Sequence, residues 1–367
     1  MSARTAVGRR AGRVISSWAA GVAGAFLILL IGGAARVQAA ELSDIQVLAT
    51  VTADSPSDIA IRHGLEFINA HQNADGSFAP GPAVAVTGLC VMANLSSGIV
   101  PDATTAGAHV RHALEFLLTS QDPSGYFGTK DGSRMYGHGI ATLALGEALG
   151  TCRDEEFDAR LRSALTRAVA VTINAARVLK APAYSGGWRY SPEDITSDMS
   201  LTGWQLMSLH AAAQSGVAVP DEIISAAVDF ARRMTTAAGL VGYDHAGDDH
   251  PALRGLSMLC FAIGQHGTDP QVGLIAERVR ADPLAWQGAW MFYRAYYDAV
   301  GMSRAAPEIW ESYGPALEKV LTDHQNADGS WPNPPGDDEG SQGPVYMTAM
   351  AVLALSVHRH LLPVYQR

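Results

Sequence analysis

One seven-residue segment occurs twice, unchanged, near the two ends of this 367-residue chain. The sequence His-Gln-Asn-Ala-Asp-Gly-Ser fills residues 71–77 and again residues 324–330. Residues 121–127 keep the frame of Gln, three residues, Gly, one residue and an aromatic side chain, and residues 185–188 keep its second half. Asn-Ala-Asp-Gly ends a helix, because Gly adopts the left-handed conformation that closes the last turn. The chain is therefore predicted to be a repeat protein made of helix pairs.

The second helix of each pair is marked by a polar residue followed by Gly or Ala. This mark occurs six times, at Thr87-Gly88, His138-Gly139, Thr202-Gly203, Arg254-Gly255, Gln287-Gly288 and Thr348-Ala349. A small residue at one place in six helices implies that each backbone approaches a neighbour closely there. Since the first and last units share the same seven residues, six pairs are expected to close into a ring rather than an open solenoid. The fold class is all-α, because no strand-like alternation occurs.

The first 40 residues are predicted to be a signal peptide or an N-terminal membrane anchor. Basic residues precede the apolar residues 14–35, and Val37-Gln38-Ala39 suits a cleavage site. The apolar stretch approaches the roughly 20 residues that span a bilayer, so an uncleaved anchor stays open. Residues 41–56 are expected to be a linker and residues 57–367 a single domain. The protein is thus predicted to be exported to the periplasm or cell envelope, with any membrane association made through its N-terminus.

Charge and cysteine content exclude several classes of protein. The chain has 26 Lys and Arg against 36 Asp and Glu, a net charge of −10, which disfavours nucleic-acid binding. Its three cysteines lack the spacing of a disulfide framework or a thiolate zinc site. The acidic residues 248–249 and 337–339 lie among Gly and Pro and are interpreted as solvated loops. We therefore predict neither a metal site nor a cofactor.

Three longer segments carry a resemblance to a known superfamily. Residues 135–150 read MYGHGIATLALGEALG, and residues 184–209 and 343–366 are similarly distinctive. With the repeated turns and a Gly-Gly-Trp unit, they make the chain resemble the prenyltransferase and squalene-oxidase repeat superfamily, and more narrowly its exported, planctomycete-type, squalene-cyclase-like branch. The resemblance implies an (α/α)6 toroid over the whole mature chain. It also implies a central cavity that binds an isoprenoid, a triterpenoid or another apolar ligand.

The acid motif of that superfamily is incomplete in this chain. Squalene cyclases protonate an alkene with the middle acid of an Asp-x-Asp-Asp motif, and residues 195–198 here read Ile-Thr-Ser-Asp. Ser197 stands where the proton donor is expected, so cyclase activity is in doubt. The catalytic candidates are Asp198 and its nearest acid in sequence, Asp194, which would raise the pKa of Asp198 if both were buried together. The alternative is that Asp198 caps the following helix.

Aromatic and polar residues of the second helices are candidates for ligand contact. Aromatic faces stabilise carbocations and pack against isoprenoid or sugar surfaces, but they also fill cores. A helix over residues 286–297 would place four of them on one stripe. The six polar residues that precede Gly or Ala are predicted to encircle a mouth of the cavity, the alternative being bonds to loops and helix ends. The predicted cavity residues are His138, Trp188, Tyr190, Thr202, Trp204, Arg254, Trp286, Gln287, Trp290 and Tyr293.

Two functions from different classes stay open. The first is a cell-envelope protein that binds an apolar ligand in the toroid, and the second is a non-catalytic extracytoplasmic scaffold that binds protein or polysaccharide. An apolar cavity lined by aromatic residues favours the first, and a polar or filled centre favours the second. Protein prenyltransferases and thioester domains are excluded, because their Asp-x-Cys and Gly-Cys-Gly-Glu-Gln motifs are absent. A glycosidase needs two facing carboxylates, and the sequence leaves such a pair open.

Overall fold

The computed structural model describes residues 55–79 and 81–362, which are all-helical apart from their connecting loops. The predicted leader and nearly all of the predicted linker lie outside these residues. Within them, no helix combines the length and the apolar character needed to cross a membrane. Twelve α-helices follow one another: α1 (Pro56–Ala70), α2 (Ala83–Leu95), α3 (Thr105–Ser120), α4 (Arg134–Ala148), α5 (Glu155–Ala176), α6 (Met199–Gln214), α7 (Asp221–Met234), α8 (Pro251–Ile263), α9 (Pro270–Ala281), α10 (Met291–Ala305), α11 (Pro307–Thr322) and α12 (Pro344–Ser356).

The even-numbered helices form an inner ring, and the odd-numbered helices surround it. Each even-numbered helix packs against the even-numbered helices before and after it, and α12 packs against α2. In α2 every residue from Val84 to Leu95 is buried, whereas α7 buries only its apolar face. A helix that is apolar on all sides belongs in a core, and an amphipathic helix belongs at the surface. The structure therefore confirms the predicted all-α toroid of six helix pairs.

The repeated turn joins each unit to the next outer helix. In the first turn, the Gln72 side-chain amide donates to the His109 carbonyl oxygen of α3 at 2.9 Å. The same bond in the last turn runs from Gln325 to the Ala60 carbonyl oxygen of α1 at 2.8 Å. The last unit is therefore bonded to the first unit, which closes the ring as the shared heptapeptide predicted.

The glycine of each turn lies directly on that next outer helix. Gly329 has a φ of +89°, and a Cβ there would collide with the His63 carbonyl of α1. Gly76 and Gly125 lie in the same way on α3 and α5. A further turn of this kind, at Gly239, lies on Leu274 of α9 and escaped sequence analysis because it lacks both the Gln and the aromatic residue.

Small residues allow the inner helices to approach one another, as the sequence predicted. A Cβ on Gly88 would press on Ile140 of α4, and a Cβ on Gly255 would collide with the Tyr297 carbonyl of α10.

The predicted register of the fifth unit is wrong, because α10 begins only at Met291 and Gln287 lies exposed in the preceding loop. Arg294-Ala295 holds the fourth and fifth positions of α10, which Arg254-Gly255 holds in α8.

Ring closure can be tested by replacing Gly329 with Ala. The left-handed backbone costs alanine roughly 1–2 kcal/mol, and the collision with α1 adds about 1–3 kcal/mol from overpacking. Gly288→Ala is the matched control, since Gly288 has a φ of +93° and no atom near its would-be Cβ. We expect urea unfolding to show a clearly greater loss of stability for Gly329→Ala. Equal losses would contradict the closure contact.

Candidate functional site

The threonines predicted to encircle a mouth are bonded to their own turns instead. All three are fully buried. Their hydroxyl oxygens accept hydrogen bonds from the backbone N–H groups of the turn's aromatic residues, over 3.3 Å for Thr87 and Phe78, 3.2 Å for Thr202 and Trp188, and 3.4 Å for Thr348 and Trp331. The alternative, in which these polar residues bond loops, is thus the correct one.

His138 and Arg254 are also engaged inside the protein. His138 is fully buried with Nε2 3.0 Å from the Thr172 hydroxyl, and burial lowers its pKa to about 4. Arg254 pairs with Asp249 at 2.6 Å and with Asp282 at 2.8 Å. Both side chains therefore hold neighbouring segments together, and the expectation that they line an opening is wrong.

The tryptophans predicted to contact a ligand do not lie on one helical stripe. Trp188 is buried, and its indole N–H donates to the Thr172 carbonyl oxygen of α5 at 2.9 Å. Trp286 precedes α10 and stacks on His324, with ring centroids 4.3 Å apart. Trp290 has the left-handed φ of +59° at the start of α10 and is 47% exposed. The prediction of one helical stripe from residue 286 is wrong, because that helix begins at residue 291.

Aromatic side chains from α6 and α10 meet inside the ring. The Trp204 ring stacks on Tyr296 with centroids 6.1 Å apart, and it meets Tyr293 and Tyr297 edge-on at 6.3 and 5.5 Å. Trp204 and the three tyrosines are at most 8% exposed. Since α6 and α10 are separated by α8 in the inner ring, these side chains bridge and fill its interior at this level.

Asp198 lies at the face where the inner helices begin, which we call the mouth face. Its Oδ1 accepts the Leu201 N–H at 2.8 Å, so it caps α6 as the alternative reading predicted. Its Oδ2 is buried without a hydrogen-bond partner among the described residues and lies 3.6 Å from Nε of Arg189. Burial raises the pKa of Asp198 to about 6, although the positive charge of Arg189 opposes that rise. The capping residue therefore has one buried oxygen that faces Arg189 without a hydrogen bond.

Four tyrosines, which we call the tyrosine group, lie near Asp198 or its partner Arg189: Tyr136, Tyr190, Tyr243 and Tyr293. The hydroxyls of Tyr190 and Tyr243 are 2.7 Å apart, and the Arg189 guanidinium lies over both rings, 5.1 and 5.4 Å from their centroids. Tyr136 donates to the Ser200 hydroxyl at 3.1 Å, and Ser200 lies 2.5 Å from the Tyr293 hydroxyl. The tyrosine group thus offers both ring faces and hydroxyls beside Asp198.

The acid that accompanies Asp198 is Asp244, rather than Asp194. The Asp194 carboxylate accepts the Ser191 N–H at 2.8 Å within its own loop. Asp244 instead pairs with Arg189 at 3.3 Å, so one arginine contacts both Asp198 and Asp244. Sequence analysis missed Asp244 because its loop follows the unrecognised turn at Gly239.

A second acidic pair caps α10. Asp337 accepts the Trp290 N–H at 3.0 Å. The fully buried Glu339 accepts the N–H groups of Phe292 at 2.7 Å and Tyr293 at 3.1 Å, and also the Tyr346 hydroxyl. Burial raises the pKa of Glu339 to about 8. These acids were expected in a solvated loop, and the structure corrects that expectation, since the free N–H groups of a helix start attract carboxylates.

Two clefts flank the loop of residues 128–134, which connects the second turn to α4. The first cleft, of about 790 Å³, is lined by residues of the first turn together with Lys130 and Asp131. The second cleft, of about 720 Å³, lies between the second turn, α5 and the loop before Asp198. Its polar and aromatic lining includes Asp122, Ser124, Tyr126, Arg134, Asn174 and Glu193. Among the described residues, no group of His, Cys, Asp and Glu is suited to hold a metal ion.

Comparisons with known proteins show similarity of fold. No protein-family model matches the sequence, and no curated protein matches it significantly. An inactive α-1,6-mannanase variant from Salegentibacter sp., solved with α-1,6-mannotriose, superposes with a TM-score of 0.61 at 9% identity, covering 84% of this chain and 100% of that one. A type II terpene cyclase variant from Scytonema, solved with its product merosterolic acid A, gives 0.52 at 19% identity, covering 82% and 96%. A glycosidase variant solved with glucose gives 0.51 at 14% identity, covering 84% and 98%. The α/α toroid is therefore shared by proteins with different ligands.

The raised pKa of Asp198 predicts a specific pH dependence of stability. Because the folded state holds this proton more tightly than the unfolded chain, the stabilisation is complete below about pH 4 and is lost as pH rises through about 6. Asp198→Asn keeps the cap but cannot ionise. Between pH 4 and 7 the free energy of unfolding of the wild type should fall by about 2 kcal/mol relative to this variant.

Denaturant unfolding across this pH range measures that difference. Asp194→Asn is the control, since Asp194 contacts neither Arg189 nor the tyrosine group in the interactions described above. Parallel pH profiles for the wild type and Asp198→Asn would show that Asp198 is ionised throughout the range.

Proposed function

We propose that this protein is an extracytoplasmic toroid that binds a polysaccharide chain on its mouth face. The proposal rests on the position of its aromatic side chains. Trp204, Tyr296 and Tyr297 pack against one another inside the ring, where an apolar ligand was expected. A filled centre favours the scaffold class over the apolar-ligand class. The two clefts of the mouth face are lined by other residues and lie outside this group of packed aromatic side chains.

The chemistry of the clefts suits a hydroxyl-rich chain. Amide and hydroxyl groups both donate to and accept from sugar hydroxyls, carboxylates accept from them, and the half-buried Tyr126 supplies a ring face for stacking. Volumes of about 720 and 790 Å³ are in the range of ligand sites. Since only the loop of residues 128–134 separates the clefts, an extended chain can occupy both. The solved mannanase and glycosidase complexes support this reading only as examples of toroids that hold sugars.

An isoprenoid or another apolar ligand is the second candidate, and the position of Asp198 favours it. Asp198 matches the last acid of the squalene-cyclase motif and lies beside the tyrosine group, as a carbocation would require. Trp290, Ile195 and Leu179 are large apolar residues that stay exposed. A toroidal type II terpene cyclase from Scytonema has been solved with geranylgeranyl dihydroxybenzoate. In this reading the protein is a squalene-cyclase-like repeat protein of the cell envelope, bound to its membrane through an uncleaved leader.

Binding measurements distinguish the two candidates. We expect isothermal titration calorimetry to detect binding of at least one of α-mannan, dextran and a β-1,3-glucan. Asn174→Ala in the second cleft should weaken that binding about fivefold or more, because Asn174 is exposed on a helix and alanine preserves that helix. Leu274→Ala, on the outer helix α9, is the matched control and should leave the affinity unchanged.

Mass spectrometry of an organic extract of the purified protein tests the apolar ligand directly. A stoichiometric polyprenyl or triterpene, together with no binding of the three polysaccharides, would overturn the first proposal and establish the second. A clean extract with polysaccharide binding would do the reverse.

A further inference from the structure

We infer that Asp198 and Asp244 are the acid and the base of a site that hydrolyses a glycosidic bond. This inference rests on the proposed polysaccharide function and extends it from binding to catalysis. It draws on the contact of both carboxyl groups with Arg189, beside the tyrosine group.

The first support is the geometry of the two acids. Oδ2 of Asp198 lies 3.6 Å from Nε of Arg189, and Oδ2 of Asp244 lies 3.3 Å from Nη1 of the same side chain. Contacts to neighbouring nitrogens of one guanidinium keep the two carboxyls within the about 9.5 Å that glycosidase acid–base pairs reach. Arg189 is thus a positioning residue for both acids.

The second support is the difference between the surroundings of the two acids. Asp198 is fully buried, and its Oδ2 pairs with Arg189 without a hydrogen bond, whereas the Asp244 side chain is 34% exposed and lies 2.8 Å from Nδ1 of His245. Burial raises the pKa of Asp198, while His245 and Arg189 lower the pKa of Asp244. Two carboxyls whose environments separate in this way can act as acid and base at one pH.

The third support is the set of side chains that surround the two acids. Tyr190 and Tyr243 present partly buried rings and a bonded pair of hydroxyls beside the Arg189 guanidinium. Such rings pack against sugar faces, and their hydroxyls bond sugar hydroxyls. A carboxyl of pKa about 6 also suits a glycosidic oxygen, because general acids for that reaction titrate near neutrality. An alkene is a much weaker base and requires a much stronger acid.

The reaction balances with water as the only co-reactant. Asp198 gives the proton on Oδ2 to the glycosidic oxygen while the bond from that oxygen to the anomeric carbon breaks. Asp244 takes a proton from a water molecule, whose oxygen forms the new bond to the same carbon. The proton on Asp244 then passes to solvent, and Asp198 regains one from solvent. One water is consumed, and each cleavage creates one new reducing end.

Activity and binding are measured together on the full chain, with α-mannan, dextran and a β-1,3-glucan. We expect the wild type to release reducing ends from a polysaccharide that it binds. Asp198→Asn and Asp244→Asn should each lower that rate about 100-fold or more and change the affinity by less than about threefold. Asp194→Asn, the acid of the same loop without an Arg189 contact, should retain wild-type activity.

The possible outcomes separate the inference from the function on which it rests. Polysaccharide binding without release of reducing ends by the wild type would overturn the inference and leave the proposed function intact. Full activity of Asp244→Asn would overturn the role of Asp244. Failure to bind any of the three polysaccharides would overturn both. Azide should restore turnover to Asp244→Ala but not to Asp198→Asn, which a merely structural role of Asp244 would not produce.

A second readout does not depend on activity. Carbon NMR of protein labelled at the aspartate carboxyls should show one resonance that titrates near pH 6 and disappears in Asp198→Asn. A resonance with a lowered pKa should disappear in Asp244→Asn. Two carboxyls that titrate together, or in the reverse order, would overturn the assignment of acid and base.

Discussion

The docking of each turn on the following outer helix is the constraint on which the rest of the structure depends. Two kinds of group make that contact, the Gln amide that reaches a helix carbonyl and the left-handed Gly that lies against the helix backbone. Both contact backbone atoms, so the outer helix can vary its side chains without disturbing the joint. Because the last turn docks on α1 as the first docks on α3, the helix pairs form a closed ring, and all the inner-helix N-termini collect on one face.

The helix N-termini on the mouth face determine which side chains are found there. A helix start presents several N–H groups without partners, and six such starts close together attract oxygen atoms. The threonine hydroxyls bond N–H groups of the turns, while Asp198, Asp337 and Glu339 bond the helix starts themselves. The acidic residues at this face are therefore explained first by capping. Asp198 differs from Asp337 and Glu339 because its Oδ2 is buried without a hydrogen bond.

The ring could be predicted from the sequence because its joints repeat the same residues. Gln, Gly and an aromatic residue recur in three of the docked turns, and a small residue recurs where inner helices touch, so both signals can be detected in a single sequence. The candidate site could not be predicted to the same depth. Asp244 reaches Arg189 through a loop that lacks the Gln and the aromatic residue, and the distance in sequence conceals the contact. The predicted start of α10 was also wrong. Gln287-Gly288 has the residue pattern of the inner-helix starts, but it lies in the loop before the helix.

The cap of α10 also sets a limit on how this ring can change. Elsewhere a turn docks on the outer helix of the following unit, using residues that recur from copy to copy. The start of α10 is held by Asp337 and Glu339, which belong to the following unit. The start of α2 is held in the same way, since Asp131 of the second unit accepts the Val84 N–H at 2.8 Å. A unit is therefore tied to the next one both at the outer helix and at the start of its inner helix, and a duplication or deletion of one unit would have to re-form both contacts.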